Sequence, residues 1–140
     1  MNADQTPSAL ETKLRLSTLW IVMLLNMLFR DLHEFANPAF VEELLIMTTG
    51  GTPPSEGLLL AAGIVLQIPI AMIFLTQLLD INANRWANIV ASALMLVAII
   101  SNNLTPDLDD ILFAAAECVA LLLIIWYAWN WTNQPVRKIA

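Results

Sequence analysis

Residues 16–35 of the chain are LSTLWIVMLLNMLFRDLHEF, and this stretch decides the fold. A helix of about 20 mostly apolar residues crosses a hydrocarbon core of roughly 30 Å, so the stretch is long enough to span a membrane. Its charged residues and the only histidine of the chain follow Asn26, in the second half of the stretch. These polar groups form either the hydrated end of a membrane helix or a site inside the membrane.

The composition of the whole chain points the same way. Of its 140 residues, 59% are hydrophobic and only 13% are charged, and the mean hydropathy is +0.71. A soluble domain usually carries about 25% charged residues, so this chain lacks the polar surface to face water on all sides. We therefore expect an integral membrane protein with a single domain, residues 1–140.

The charge and cysteine content exclude other classes. The chain has a net charge of −6 and lacks the basic surface of a nucleic-acid-binding protein, so no nucleic-acid partner is expected. The single cysteine, Cys118, excludes an intramolecular disulfide and lies among alanines, where a small packing residue is favoured over a reactive thiol.

The apolar blocks predict an all-α membrane protein, a four-transmembrane-helix bundle with up-down-up-down topology. A fifth, short segment has glutamates on one side and apolar residues on another, which is typical of an interfacial helix on the bilayer surface. The predicted spans are residues 16–35, 55–79, 84–100 and 106–131, and the predicted interfacial helix is residues 38–47.

Local signals set the predicted helix ends. Residues 1–13 have no apolar period and are expected to form a short mobile tail before an uncleaved first helix. Asn37-Pro38 stops the first helix, and Ser55 is a suitable N-cap for the second. Pro69 is expected to kink the second helix, and Pro106 to occupy the first turn of the fourth.

The cations predict the orientation in the membrane. All but Arg30 fall on the side of the two termini, so the positive-inside rule makes both termini cytoplasmic. These cations are Lys13, Arg15, Arg85, Arg137 and Lys138.

The tryptophans map to the same side, which predicts an aromatic belt at that interface. They are Trp20, Trp86, Trp126, Trp129 and Trp131. The acids of the loops collect on the opposite, outer side, at Glu42, Glu43, Glu56, Asp107, Asp109 and Asp110.

One face of the first helix is polar. At 100° per residue its polar side chains fit within an arc of about 160°, opposite a purely apolar arc that meets lipid. The five are Asn26, Arg30, Asp31, His33 and Glu34. The polar face is expected to meet the other helices. His33 and Glu34, near the outer end, can equally form a hydrated rim, and Asp31 less so.

Glu117 is the sharpest signal of a site, because it lies well inside the fourth span. An isolated ionised carboxylate there costs several kcal/mol, so Glu117 must be paired, protonated or open to a water-filled cavity. Ala114 and Ala120 are small enough to let another helix approach. Arg30 matches Glu117 in depth and is the predicted counter-ion. A purely structural ion pair is the alternative.

Gln67 places a polar group between Gly63 and Ala71 on the second helix. Pro69 has no N–H, so the carbonyl of Val65 loses its helical partner and could serve as an acceptor near Gln67. A plain kink is the favoured alternative.

The sequence contains few of the motifs that bind metals or cofactors. The carboxylates and histidine are similar in type to those of di-metal helical bundles, but these use a Glu-x-x-His spacing that is missing here. The sequence contains no glycine-rich phosphate loop, nucleophile elbow or paired-cysteine motif. No metal or other cofactor is expected.

Several stretches together resemble uncharacterised bacterial four-helix membrane proteins, loosely of the DoxX type. They are residues 16–22 (LSTLWIV), 67–75 (QIPIAMIFL), 84–88 (NRWAN) and 122–129 (LLLIIWYAW). The resemblance implies the four-helix fold and a bacterial inner membrane. DoxX-type relatives are linked to quinone-dependent redox complexes, but the resemblance brings no activity with it.

The leading hypothesis is a non-enzymatic protein with a polar pocket in the outer half of the bundle, which binds a small polar or cationic ligand or carries a proton. Two alternatives stay open: a structural or accessory subunit of a membrane complex, and a membrane enzyme acting on a lipid or quinone. Besides the lipid bilayer, the partners considered are a small-molecule ligand, a second copy of the chain and a membrane partner subunit. The candidate residues are Glu117, Arg30, Asp31, Glu34, His33, Asn26 and Gln67.

Overall fold

A computed structural model describes residues 7–46, 54–102 and 108–131. These residues form five helices and no strand, which confirms the all-helical class. The helices are α1 (Pro7–Glu34), α2 (Pro38–Leu45), α3 (Glu56–Leu78), α4 (Ile81–Asn102) and α5 (Leu108–Asn130). All except α2 are long and apolar enough to cross a membrane, as predicted.

Helix α1 begins at Pro7, so the prediction of a tail to residue 13 and a helix from residue 16 was wrong. Proline at the first position is pre-organised for a helix. In the first turns Thr12 Oγ1 donates to the carbonyl of Ser8, 3.0 Å away, and Arg15 pairs with Glu11 one turn earlier. The added turns are therefore an amphipathic extension of the span, which hydropathy alone does not detect.

The other helix ends differ less from the prediction. Helix α4 begins at Ile81 rather than residue 84, because the N–H of Asn84 already bonds to the carbonyl of Asp80, 2.8 Å away. The predicted cap is confirmed at Ser55, whose Oγ accepts from the N–H of Leu58 at 3.2 Å. The predicted helix start at Pro106 lies outside the described residues.

The four long helices form a closed ring in which α1 and α4 each pack against α3 and α5. Hydrogen bonds join neighbouring ends. Lys13, near the start of α1, reaches the carbonyl of Leu79 after α3, and Arg85, near the start of α4, reaches that of Ala128 in α5. Arg30, near the end of α1, meets Glu117 in the first half of α5.

The side chains enclosed by the ring are mainly large and apolar. The outer surface is also apolar, with exposed leucine, isoleucine, valine and phenylalanine along all four long helices. A soluble monomer rarely exposes such an extensive apolar surface, so it supports an integral membrane protein. The fully buried apolar core consists of Leu16, Trp20, Met23, Met95, Leu121, Ile124 and Ala128.

The predicted belt of five tryptophans is only partly correct. Trp86, Trp126 and Trp129 are exposed, but Trp20 and Trp131 are buried. Trp20 turns inward because its indole Nε1 donates to Asn88 Oδ1 in α4, 2.7 Å away. An internal acceptor therefore replaces the interfacial water that a belt tryptophan would bind.

The bond from Trp20 belongs to a buried polar network that joins the middle of α1 to the end of α3 and the start of α4. The side chain of Asn88 donates to Asn84 Oδ1 at 2.6 Å, and that of Asn84 donates to the carbonyl of Thr76 in α3 at 2.6 Å. Ser92, one turn beyond Asn88, is buried, and its Oγ has no hydrogen-bond partner among the described residues. The network ties α1, α3 and α4 together in lipid, where hydrogen bonds between helices help to fix their packing.

We predict that Trp20→Phe lowers the free energy of unfolding by about 1 kcal/mol, since it leaves the amide oxygen of Asn88 without a donor. The control is Trp86→Phe, because the Trp86 side chain is 64% exposed. Detergent-induced unfolding of the purified variants, followed by circular dichroism, measures the difference. Equal stability of the two variants would show that the network is not coupled to folding.

Candidate functional site

Glu117 is the centre of a buried charged cluster between α1 and α5. Its side chain is 0% exposed, and Arg30 Nη1 lies 3.5 Å from its Oε2. Asn26 Nδ2 donates to the other oxygen, Oε1, at 3.2 Å. The Arg30–Glu117 pair expected from the depth of the two residues is therefore present, and an amide from the same helix joins it.

Asn26 makes a second bond that fixes this arrangement. Its Nδ2 also donates to the carbonyl of Phe113, 3.0 Å away and one turn before Glu117 in α5. Ala114 and Ala120 pack against the core beside Glu117 and leave room for α1 to approach. Both carboxylate oxygens thus have a partner, which a buried carboxylate requires to stay ionised at a tolerable cost.

A cleft of about 380 Å³ adjoins the cluster, between α1, α3 and α4. Its polar lining comes from Arg30, Asp31 and Ser101. The rest of the wall is apolar, formed by Met27, Leu58, Ala61, Ala62, Val65, Leu66 and Ala98. The Arg30 side chain is 16% exposed, so it contacts both the buried Glu117 and the cleft.

Asp31 is exposed and lines the cleft. One residue of helix is a rotation of about 100°, which turns Asp31 away from the α5 side that Arg30 occupies. Arg30 therefore contacts both the buried carboxylate and the cleft, whereas Asp31 lines the cleft.

His33 and Glu34 lie at the end of α1. His33 Nε2 is 3.3 Å from Asp109 Oδ2, and both side chains are about half exposed. This contact is an ion pair only when the imidazole is protonated. Glu34 is the last residue of α1 and is partly buried. For His33 the structure matches the hydrated-rim interpretation, and neither residue contacts the cleft.

Gln67 does not join the cluster or the cleft, so its predicted position near the site was wrong. Its side chain is exposed at the centre of α3. Pro69, two residues later, faces inward together with Met72 and Thr76. Because two residues rotate by about 200°, Gln67 must then point away from the bundle.

Two cations cap neighbouring helices, a role that was not expected from the sequence. Lys13 Nζ donates to the carbonyls of Gln77 at 3.3 Å and Leu79 at 2.8 Å, and the side chain is buried. Arg85 donates to the carbonyls of Ala128 at 3.1 Å and Trp129 at 3.3 Å. Both cations bind carbonyls at a helix C-terminus. Each lies near the start of its own helix, level with the end of a neighbouring helix, and this position is the signal in the sequence that predicts such a cap.

The chain matches, over residues 9–137, the sequence pattern of DUF6326, described as a family of unknown function. The chain belongs to this family. The matched segment includes the polar network around Asn88, the charged cluster around Glu117 and the cleft. No curated protein and no solved structure matches the chain. The likeness to DoxX-type proteins and the bacterial origin stay predictions.

We predict that Arg30→Met destabilises the fold by about 3 kcal/mol, because it leaves the buried Glu117 carboxylate without its counter-ion. The double variant Arg30→Met with Glu117→Leu is expected to recover most of this loss, since no unpaired charge remains. Denaturation of all variants in mixed micelles measures the coupling between the two residues.

Glu11→Gln is the control, because it removes one partner of the exposed Arg15–Glu11 pair and should leave the unfolding midpoint unchanged. Additive effects of the two core substitutions would contradict the ion pair.

Proposed function

We propose that this chain is an integral membrane protein that binds a ligand with a cationic group in the cleft beside Arg30 and Asp31. The single observation that carries the proposal is the division of charge at the cleft. Glu117 lies against Arg30 and balances its positive charge, whereas Asp31 lines the cleft and is exposed. The three groups together carry one net negative charge, so the cleft attracts a cation.

The proposal assigns Glu117 a positioning role. The carboxylate is enclosed and already bonded to Arg30 and Asn26. To carry a proton it would have to exchange these partners for water, whereas Asp31 is open to a ligand without rearrangement. The geometry therefore favours ligand binding at Asp31 over proton transfer at Glu117.

We further propose that the spans run up-down-up-down with both termini in the cytoplasm of a bacterium and the cleft toward the outer face of its inner membrane. The contacts between neighbouring helix ends support the alternation. Lys13 and Arg85 both lie at one end of the bundle, and Asp109 lies at the other, which supports the orientation. Helix α2 would lie on the outer surface, with Leu45 and Ile46, both largely exposed, toward lipid.

We predict that propylammonium chloride raises the midpoint of thermal unfolding of the wild-type protein relative to sodium chloride at equal ionic strength, because a ligand that binds only the folded state stabilises it. Asp31→Asn should remove this response. The control is Asp80→Asn at the other end of the bundle, since that carboxylate is exposed and does not line the cleft. An undiminished response in Asp31→Asn would refute the assignment.

A second candidate, a subunit of a membrane assembly or homo-oligomer, is favoured by the position of Gln67. Its amide is exposed at the centre of a spanning helix and has no hydrogen-bond partner among the described residues. Gly63 and Ala71, one turn on either side, are exposed too, and a side chain added at Gly63 would meet only open space. Amides and small residues are enriched where membrane helices associate, so this face of α3 suits a second helix.

We predict that Phe74→Cys, on the same face of α3 as Gln67, forms disulfide-linked dimers when native membranes are oxidised. Cys118 is first replaced by serine, so that the introduced cysteine is the only one. Val90→Cys on α4 is the control, because both native side chains are exposed, at 65% for Phe74 and 52% for Val90. Adding Gln67→Leu should reduce the cross-link.

The mass of the cross-linked species separates a second copy of the chain from a foreign subunit. Equal cross-linking at the two positions, together with a single chain in native mass spectrometry, would argue against this face as an interface.

A further inference from the structure

The depth of the cleft is its first informative property. Asp31 lies in the last turn of α1, Ser101 next to the last residue of α4, and Leu58 in the first turn of α3. One helical turn rises about 5.4 Å, so Asp31 and Ser101 lie close to the ends of their two spans, and the apolar wall begins at the end of a third. In a bilayer this is the level of the phospholipid headgroups rather than the middle of the hydrocarbon.

The arrangement of charge is the second property. The Asp31 carboxylate and the Arg30 guanidinium belong to consecutive residues and line the same cleft, with the Ser101 hydroxyl on its wall. A guanidinium has five N–H donors, and only Nη1 of Arg30 meets Glu117. The remaining donors suit phosphate, and the carboxylate suits a cation. A zwitterion that carries both groups matches this pair better than a simple cation does.

The apolar wall is the third property. Five of the lining residues come from one face of α3, and the cleft is open on one side. A polar soluble metabolite would not contact the apolar wall, whereas the acyl chain of a lipid would pack against it and continue into the bilayer. Burial of a methylene group is favourable in transfer from water but contributes nothing in transfer from lipid. The wall therefore accommodates the chain, and the polar end provides the selectivity.

No aromatic ring is present among the described residues that line the cleft, and this limits the kinds of headgroup that fit. Quaternary ammonium groups donate no hydrogen bond and are usually recognised by aromatic faces. A primary ammonium group has three donors, and the Asp31 carboxylate can accept from it directly. The lining thus favours an ethanolamine-type headgroup over a choline-type one.

From these four properties we infer that the ligand of the cleft is a phospholipid with a primary ammonium headgroup. Its ammonium binds Asp31, its phosphate binds Arg30 and Ser101, and one acyl chain lies along α3. The inference rests on the proposed function, because it names the ligand class of the same cleft. Glu117 then has a definite role, because it holds Arg30 at the level of the lipid phosphate.

The test compares lipids that differ only in the headgroup. Wild-type protein is reconstituted in nanodiscs with equal amounts of phosphatidylethanolamine, phosphatidylcholine and phosphatidylglycerol of identical chains, and the retained lipid is identified by native mass spectrometry. We expect phosphatidylethanolamine to be enriched about tenfold over phosphatidylcholine, the ratio that one charge-assisted hydrogen bond provides. Asp31→Asn should reduce the enrichment to parity, and Asp80→Asn should preserve it.

Equal retention of the two lipids by the wild type, or enrichment that survives in Asp31→Asn, overturns the inference. A parallel assay with propylammonium and with free phosphoethanolamine distinguishes failure of the lipid assignment from failure of the proposed cation binding. If these soluble probes bind in an Asp31-dependent manner and no lipid is enriched, the ligand is a soluble amine and only the lipid assignment fails. If neither the probes nor the lipid binds, both proposals fail.

Discussion

The structure depends on one buried carboxylate and the two groups that neutralise it. Glu117 is fully enclosed, so α5 can occupy its position only with Arg30 and Asn26 of α1 beside it. Losing either partner would leave a charge or a polar atom unsatisfied in a medium of low dielectric constant. This requirement fixes the rotation of α1, and through α1 it sets which residues remain for the cleft. Arg30 lies against Glu117 and borders the cleft, and Asp31, its neighbour, lines the cleft.

The part of the bundle around Trp20 and Asn88 is held differently, by neutral groups. Trp20, Asn84, Asn88 and Thr76 exchange hydrogen bonds between three helices without any charge. On α1 the fully buried Met23 lies between Trp20 and Asn26, and so separates the two polar regions. The neutral network is held by hydrogen bonds among its own members and suits a structural role. The charged cluster around Glu117 adjoins a cleft, and this is the combination of features that a binding site requires.

Membership of a family of unknown function assigns no activity, so the proposed function depends on the geometry of the cleft. That geometry is amphipathic, with a carboxylate and a guanidinium near the helix ends and an apolar wall along α3. A ligand that is itself amphipathic and resides in the bilayer matches both parts at once. The exposed amide of Gln67 lies outside the cleft, on the surface that α3 presents to its surroundings. A second helix at that surface would leave the cleft free, so the two proposals are compatible.

The sequence alone determined the helical class, the four long apolar helices, the cap at Ser55 and the Arg30–Glu117 pair. The length of the apolar segments predicts the spans, and a hydroxyl before a helix predicts the cap. The pair follows because an unpaired carboxylate in a membrane costs several kcal/mol of free energy.

Only the tertiary structure decided which way each side chain points. Helix α3 is apolar on all sides, so its sequence does not reveal whether Gln67 faces the bundle or the lipid. The direction of Asp31 and the burial of Trp20 were likewise set by partners on other helices. Helix rotation in a membrane depends on packing between helices, because lipid and protein interior are equally apolar and hydropathy cannot tell them apart.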